Sequence, residues 1–110
     1  MPNHPKNKPV VLTIAANDSA GMAGVAQDIR TLSALDVHAA SVVTANTAQN
    51  NYEVLGINPV DEATLSQQLL AVKELPIAVV KVGLLTSLAQ VKIVAHFIQS
   101  TNLPLILDPV

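Results

Sequence analysis

The chain has 110 residues, of which 50% are hydrophobic and 13% charged, a composition suited to one α/β domain whose sheet is covered on both faces. Its formal net charge is -2, with the Lys and Arg residues scattered, which leaves no basic footprint for nucleic acid or an acidic membrane. It has no cysteine, which excludes disulfides, thiolate catalysis and zinc-thiolate sites and fits a reducing compartment, the cytoplasm by expectation.

The opening "MPNHPKNKP" is polar and proline-rich, so residues 1–9 are expected to be a flexible leader; no apolar run approaches the roughly 20 residues of a membrane span. "VVLTIAA", residues 10–16, reads as a strand buried on both faces. From Met22 to Leu35 the apolar Val25, Ile29 and Leu32 recur at helical spacing, with Gln27, Asp28 and Arg30 on other faces. "ASVVTAN" gives a second strand, and the polar, turn-prone "TAQNNYEVLGINPV" contains another short one around Tyr52 to Ile57. Asp61 is placed to cap a helix carrying Leu65, Leu69 and Val72, which Pro76 ends. "IAVVKVG" is the next strand. Thr86 or Ser87 then caps a third helix with Val91, Val94, Ala95 and Ile98 on its buried face, and "LPLILDPV" returns as a final strand.

Strands alternating with helices predict a parallel, doubly wound, Rossmann-like sheet with right-handed crossovers. Ligands of such sheets bind outside the carboxyl ends of the strands. The apolar runs here are followed by Asn17 and Asp18, by Asn46 and Gln49, by Gly83 and by Asp108. Each alone is as readily a turn or cap residue, but together they point to a crevice at one sheet edge. Gly21 and Gly24 form a Gly-x-x-Gly at a helix start, without the dinucleotide or Walker A pattern, and do not mark a nucleotide site. Lys81, a lone cation in an apolar strand, needs solvent or a carboxylate, with Asp18 and Asp108 as candidate partners in a structural ion pair. Asp28 reads as a solvated helix carboxylate, and Gln49 is open between a structural and a binding role. His4, His38 and His96 suggest neither a triad nor a metal site.

Taken in order, "LTIAANDSAGMAGVAQDIRTLSAL", "SVVTANTAQN", "VVKVGLL" and "LILDPV" resemble the N-terminal half of the hydroxymethylpyrimidine and phosphomethylpyrimidine kinases of thiamine biosynthesis, in the ribokinase-like superfamily. The resemblance implies ATP-dependent phosphorylation of 4-amino-5-hydroxymethyl-2-methylpyrimidine and its monophosphate, with magnesium. It makes residues 10–110 the substrate-binding half of a kinase domain. By position it implies that Ala16, Ala23 and Asp28 line the pyrimidine pocket, that Gln49 hydrogen-bonds the ring and that Leu84 and Val110 cover it. It also puts Asp108 in the vicinity of metal and phosphates. A Gln amide offers the donor and acceptor that match a 4-aminopyrimidine edge.

Where the family reads A-G-S-D-S-S-G-G-A-G-I-Q-A-D, this chain has "AANDSAGMAGVAQD": Ala16 and Met22 replace glycines, Asn17 replaces Ser or Thr, and further on Leu84 stands where Met is usual. Met22 is therefore expected in a helical conformation rather than at positive φ. In this family the C-terminal half supplies the ATP site, a Gly-rich anion hole and the catalytic base, so the fold is expected to be incomplete and the 110-residue chain inactive as a kinase. The end after "LDPV" reads as that of an engineered or proteolytic fragment, or a truncated gene. A pyridoxal-type kinase of the same superfamily and a non-catalytic pyrimidine-binding domain are the alternatives. A small-molecule pyrimidine is the expected partner, and a homodimer is open to it.

Overall fold

The computed structural model describes residues 8–109. Its elements are β1 (Val10–Asp18), α1 (Gly24–Ala34), β2 (His38–Gln49), β3 (Val54–Pro59), α2 (Glu62–Val72), β4 (Ile77–Val82), α3 (Leu88–Thr101) and β5 (Leu105–Leu107). Most of the expected leader, with His4, lies outside the described residues. Its described end is tied down: Pro9 O accepts from His38 N at 3.1 Å, and Lys8 pairs with Asp36 at 2.8 Å.

The strands form one five-stranded sheet in the order β3-β2-β1-β4-β5. β1 pairs in parallel with β2 and β4, and β4 with β5, as the alternation of elements predicts. β3 departs from the expected all-parallel sheet by pairing antiparallel with the last residues of β2. The physical reason is local. β2 runs on to Gln49, and Asn50 then closes a tight turn by accepting through Oδ1 from Tyr52 N at 2.8 Å and Glu53 N at 3.1 Å, so the chain doubles back without a crossover helix.

Strand alternation divides the interior into two faces. On one, Val10, Leu12 and Ile14 of β1 and Val80 and Val82 of β4 pack with Leu65 and Leu69 of α2 and Val94 and Phe97 of α3. The intervening β1 residue Thr13 turns to the other face and meets Asp28 of α1. β1 is buried without interruption from Leu12 to Ala16, as a central parallel strand requires.

Asp61 caps α2 by accepting from Thr64 N at 2.7 Å, and of the two candidate caps of α3 it is Ser87 that accepts from Gln90 N, at 3.1 Å. The buried face of α3 is rotated from the expected one. Gln90, Val94 and Phe97 are buried, while Val91 is 44% exposed. A buried Gln is permissible there because its amide is satisfied: Nε2 donates to Thr44 O at 2.9 Å and Oε1 accepts from Thr86 N at 2.9 Å.

Candidate functional site

The carboxyl ends of β1, β2, β4 and β5 open onto a cavity of about 220 Å3. β1 and the turn after it supply Ala15, Ala16, Asp18, Ala23 and Gly24; β2 supplies Thr47 and Gln49; β4 and its loop supply Lys81, Gly83 and Leu84; and Asp108 follows β5. The four strand-end residues Asp18, Gln49, Gly83 and Asp108 thus share one wall system, as strand polarity predicts. Asn17 and Asn46 lie at the same edge but outside the lining, with Asn17 Nδ2 3.4 Å from Asn46 Oδ1. Val110, the remaining residue assigned to the pocket by resemblance, lies outside the described residues.

The turn from β1 into α1 is built by Asp18. Its carboxylate accepts from Ala20 N and Met22 N, both at 2.9 Å, and it is 4% exposed. It is therefore a turn-forming group and does not pair with Lys81, contrary to one of the two expected pairings. Positive φ falls on Gly21 and Gly24, at 72° and 64°. Met22 is in a bend ahead of α1, at negative φ but outside the helix expected for it. Gly24 is required sterically as well, since a Cβ there would lie 2.1 Å from Ala16 O. The α1 N-terminus can approach β1 this closely only with glycine. α1 begins at Gly24, and its N-cap residue Ala23 offers no side-chain cap; both residues are in the cavity lining.

Gln49 is held by its neighbours at both levels. Ser19 Oγ is 2.9 Å from both the backbone N and O of Gln49, and Thr47 Oγ1 is 2.9 Å from Gln49 Oε1. These contacts use the side-chain acceptor and leave the Nε2 donor without a partner among the described residues. On the opposite wall, Leu84 is fixed through its carbonyl, which accepts from Thr44 Oγ1 at 2.8 Å.

Under the cavity floor is a charged group that the sequence does not announce. Asp28 is not in solvent: its side chain is 14% exposed, Oδ2 accepts from Thr13 Oγ1 at 2.6 Å and Oδ1 accepts from Lys81 Nζ at 2.7 Å. Asp108 Oδ2 is 3.7 Å from the same Nζ. Lys81 lines the cavity and Asp28, its ion-pair partner, does not. Thr13, Thr47 and Lys81 are the members of this region that strand-end reasoning misses; the signal for Lys81 is a charge inside an apolar strand, which needs a buried partner.

A profile of the phosphomethylpyrimidine kinase family matches residues 18–110. The chain belongs to this family. It is 41% identical over 111 residues, 99% of its length, to a hydroxymethylpyrimidine/phosphomethylpyrimidine kinase of Streptomyces coelicolor, of which it covers 41%. To the Bacillus subtilis enzyme of the same name it is 44% identical over 101 residues, covering 37% of that protein. The crystal structure of a phosphomethylpyrimidine kinase from Clostridium difficile superposes with a TM-score of 0.86 at 34% identity, over 92% of this chain and 45% of that one. An ADP complex of Bacillus subtilis pyridoxal kinase superposes equally well, at 0.86 and 26% identity, over 94% and 40%. The chain thus spans about two fifths of the length of these curated relatives, and its fold is the N-terminal part of the ribokinase-like arrangement.

Magnesium, which the resemblance implies beside ATP, finds no complete donor set here. Among the described residues no three His, Asp or Glu groups stand together to hold a metal ion, and Asp18 is committed to backbone N–H groups.

Proposed function

We propose that this chain is the pyrimidine-binding part of an ATP-dependent kinase acting on 4-amino-5-hydroxymethyl-2-methylpyrimidine and its monophosphate, in thiamine biosynthesis. The observation that carries the reading is the cavity at the carboxyl edge of the sheet, in which Ala15, Ala16 and Leu84 offer apolar walls and Gln49 a polar one, in a member of this kinase family. A small heterocycle needs such a slot, with few polar groups to orient it. In this reading Gln49 pairs with the aminopyrimidine edge, Ala16, Ala23 and Leu84 enclose the ring, and Asp108 lies toward the transferred phosphate. ATP, magnesium and the base that takes the hydroxyl proton belong, by the same resemblance, to the part of the family beyond the matched span. Among the described residues no helix is long and apolar enough to cross a membrane, and a cytoplasmic location, which the absence of cysteine suits, is part of the proposal.

The similarity to pyridoxal kinase favours a second reading, in which the ring is a pyridine aldehyde. Calorimetric titration of the chain with hydroxymethylpyrimidine and with pyridoxal separates the two. Tighter binding of the pyrimidine is expected, and Gln49→Ala should weaken it by about 5- to 150-fold, the equivalent of a hydrogen-bonded pair worth roughly 1 to 3 kcal/mol. Stability should change by no more than about 0.5 kcal/mol, as for other partly exposed residues. Unchanged pyrimidine affinity in the variant removes Gln49 from the site, and preference for pyridoxal replaces the first reading by the second.

A further inference from the structure

We infer that Lys81 is a ligand-contacting residue of the cavity, donating a hydrogen bond to the exocyclic oxygen of the bound heterocycle, with Asp28 and Thr13 as the residues that position it. This rests on the pyrimidine reading and deepens it, because the resemblance assigns the wall to Asp28 and the geometry assigns it to the lysine. In register, Thr13 of β1 is paired with Lys81 of β4, so the two side chains leave the sheet side by side on the α1 face, and Asp28 descends from α1 to meet both. Asp28 has one oxygen 2.6 Å from Thr13 Oγ1 and the other 2.7 Å from Lys81 Nζ. Both of its oxygens are engaged, and it is not in the lining of the cavity.

Lys81 is not filled. An ammonium has three N–H donors, and one goes to Asp28. Asp108 Oδ2, 60% exposed in its side chain and 3.7 Å away, is an ion-pair neighbour beyond hydrogen-bond reach. The other two donors have no partner among the described residues, and among those residues Lys81 is the one cation in the lining of the cavity. A purely structural pair would gain nothing from standing in that wall, and apolar residues of similar volume often replace such pairs without loss. What the arrangement supplies is a donor whose position is fixed before ligand arrives, so little ordering is left for the binding step. The matching chemistry is an oxygen on a one-carbon arm of the ring: the hydroxyl of the hydroxymethyl group.

The test pairs a change in the protein with a change in the ligand. The chain, Lys81→Met and Thr13→Val are titrated calorimetrically with 4-amino-5-hydroxymethyl-2-methylpyrimidine and with 4-amino-2,5-dimethylpyrimidine, which lacks the oxygen. In the unaltered chain the oxygen should tighten binding about tenfold or more, as hydrogen bonds to charged groups do. In Lys81→Met the two ligands should bind within about twofold of each other, and Thr13→Val should give an intermediate ratio, which a residue with a merely structural role would not do. Should Lys81→Met lose its cooperative melt, the double variant Asp28→Asn with Lys81→Met removes both buried charges and the same ratio is read from it. An oxygen contribution equal with and without Lys81 overturns the inference while the pyrimidine reading stands. Failure of a folded, unaltered chain to bind either ligand overturns both.

Discussion

The two faces of the sheet are built from the same strands and solve opposite problems. On the face toward α2 and α3, Leu12, Ile14, Val42, Val80 and Leu65 are fully buried and the contacts are apolar. On the face toward α1 the neighbouring positions are Thr13 and Lys81, and the contact is a half-buried ion pair closed by a hydroxyl. Burying apolar surface stabilises in proportion to area, wherever the atoms fall. A pair of charges drawn partly out of water stabilises little in net terms and is costly to leave half made. The first face therefore holds the fold, and the second spends stability to place a donor at the cavity. On the first face Gln68 closes the free edge of β2: it donates to Val43 O and accepts from Val43 N, both at 2.8 Å, where no β3 residue pairs with β2.

This contrast is tested most severely by emptying the apolar face. Leu12→Ala should cost about 2 to 5 kcal/mol, the range for a fully buried leucine whose cavity cannot collapse. Chemical denaturation checks it. In the fraction that stays folded, ligand affinity should be unchanged, because Leu12 contributes no wall to the cavity; a matching loss of affinity would show that the two faces are not independent.

Gly24→Ala attacks the junction between the faces and the site. The left-handed backbone alone costs an alanine about 1 to 2 kcal/mol, and its Cβ would also lie 2.1 Å from Ala16 O, so α1 must move off β1. The expected result is a loss of stability together with a loss of ligand binding, since Ala16, Ala23 and Gly24 all line the cavity. Retained affinity in the folded variant would mean that the close approach serves packing alone.

Asp28→Asn should have a smaller effect on stability, about 1.5 kcal/mol, the lower end for a hydrogen bond to a charged group, because Lys81 remains 26% exposed to solvent and the amide keeps an acceptor. Combined with Lys81→Met, the losses should fall short of additive, which a double-mutant cycle measures. Strict additivity would mean that the pair is not coupled and that the two faces differ less than their residues suggest.

How much of this is legible in the sequence follows the same division. β1, β4, α1 and α2 are readable because apolar runs and Pro76 mark them, and the Asp61 cap and the shared edge of Asp18, Gln49, Gly83 and Asp108 follow from local chemistry and strand polarity. The antiparallel return of β3 is not readable, because it depends on how far β2 extends before Asn50 turns the chain. The buried face of α3 was assigned to apolar letters, whereas Gln90 is buried by virtue of partners on β2 and in the preceding loop. Asp28 and Lys81 are 53 residues apart in sequence, and only the register of β1 against β4 brings them together, so spacing alone left Asp28 as a surface carboxylate and gave Lys81 a wrong candidate in Asp18. Of the residues that the resemblance assigns to a pyrimidine pocket, Ala16, Ala23, Gln49 and Leu84 are in the cavity lining and Asp28 is not, and the resemblance carries no information on which polar atoms are already satisfied.

The smallest expected effect lies on the apolar side, where a charge does appear, but at the surface. Asp61 accepts from Thr64 N at 2.7 Å, and that backbone bond, with a second from the Thr64 side chain, holds its carboxyl below the ordinary value of 3.8. A carboxyl whose folded value lies below its unfolded value adds stability that is complete above the unfolded value and is lost as pH falls through the folded one. Protection of the first-turn amides of α2 against hydrogen exchange, corrected for the intrinsic rate, should therefore hold steady from neutral pH down to the ordinary carboxylate range and fall only below it. Asp61→Ala should remove that acid transition and fray the first turn at every pH, while Leu65 and Leu69 keep the rest of α2 on the core. A fully exposed cap leaves the global melt almost unmoved, so a large drop in global stability would mean that the apolar face depends on charge after all.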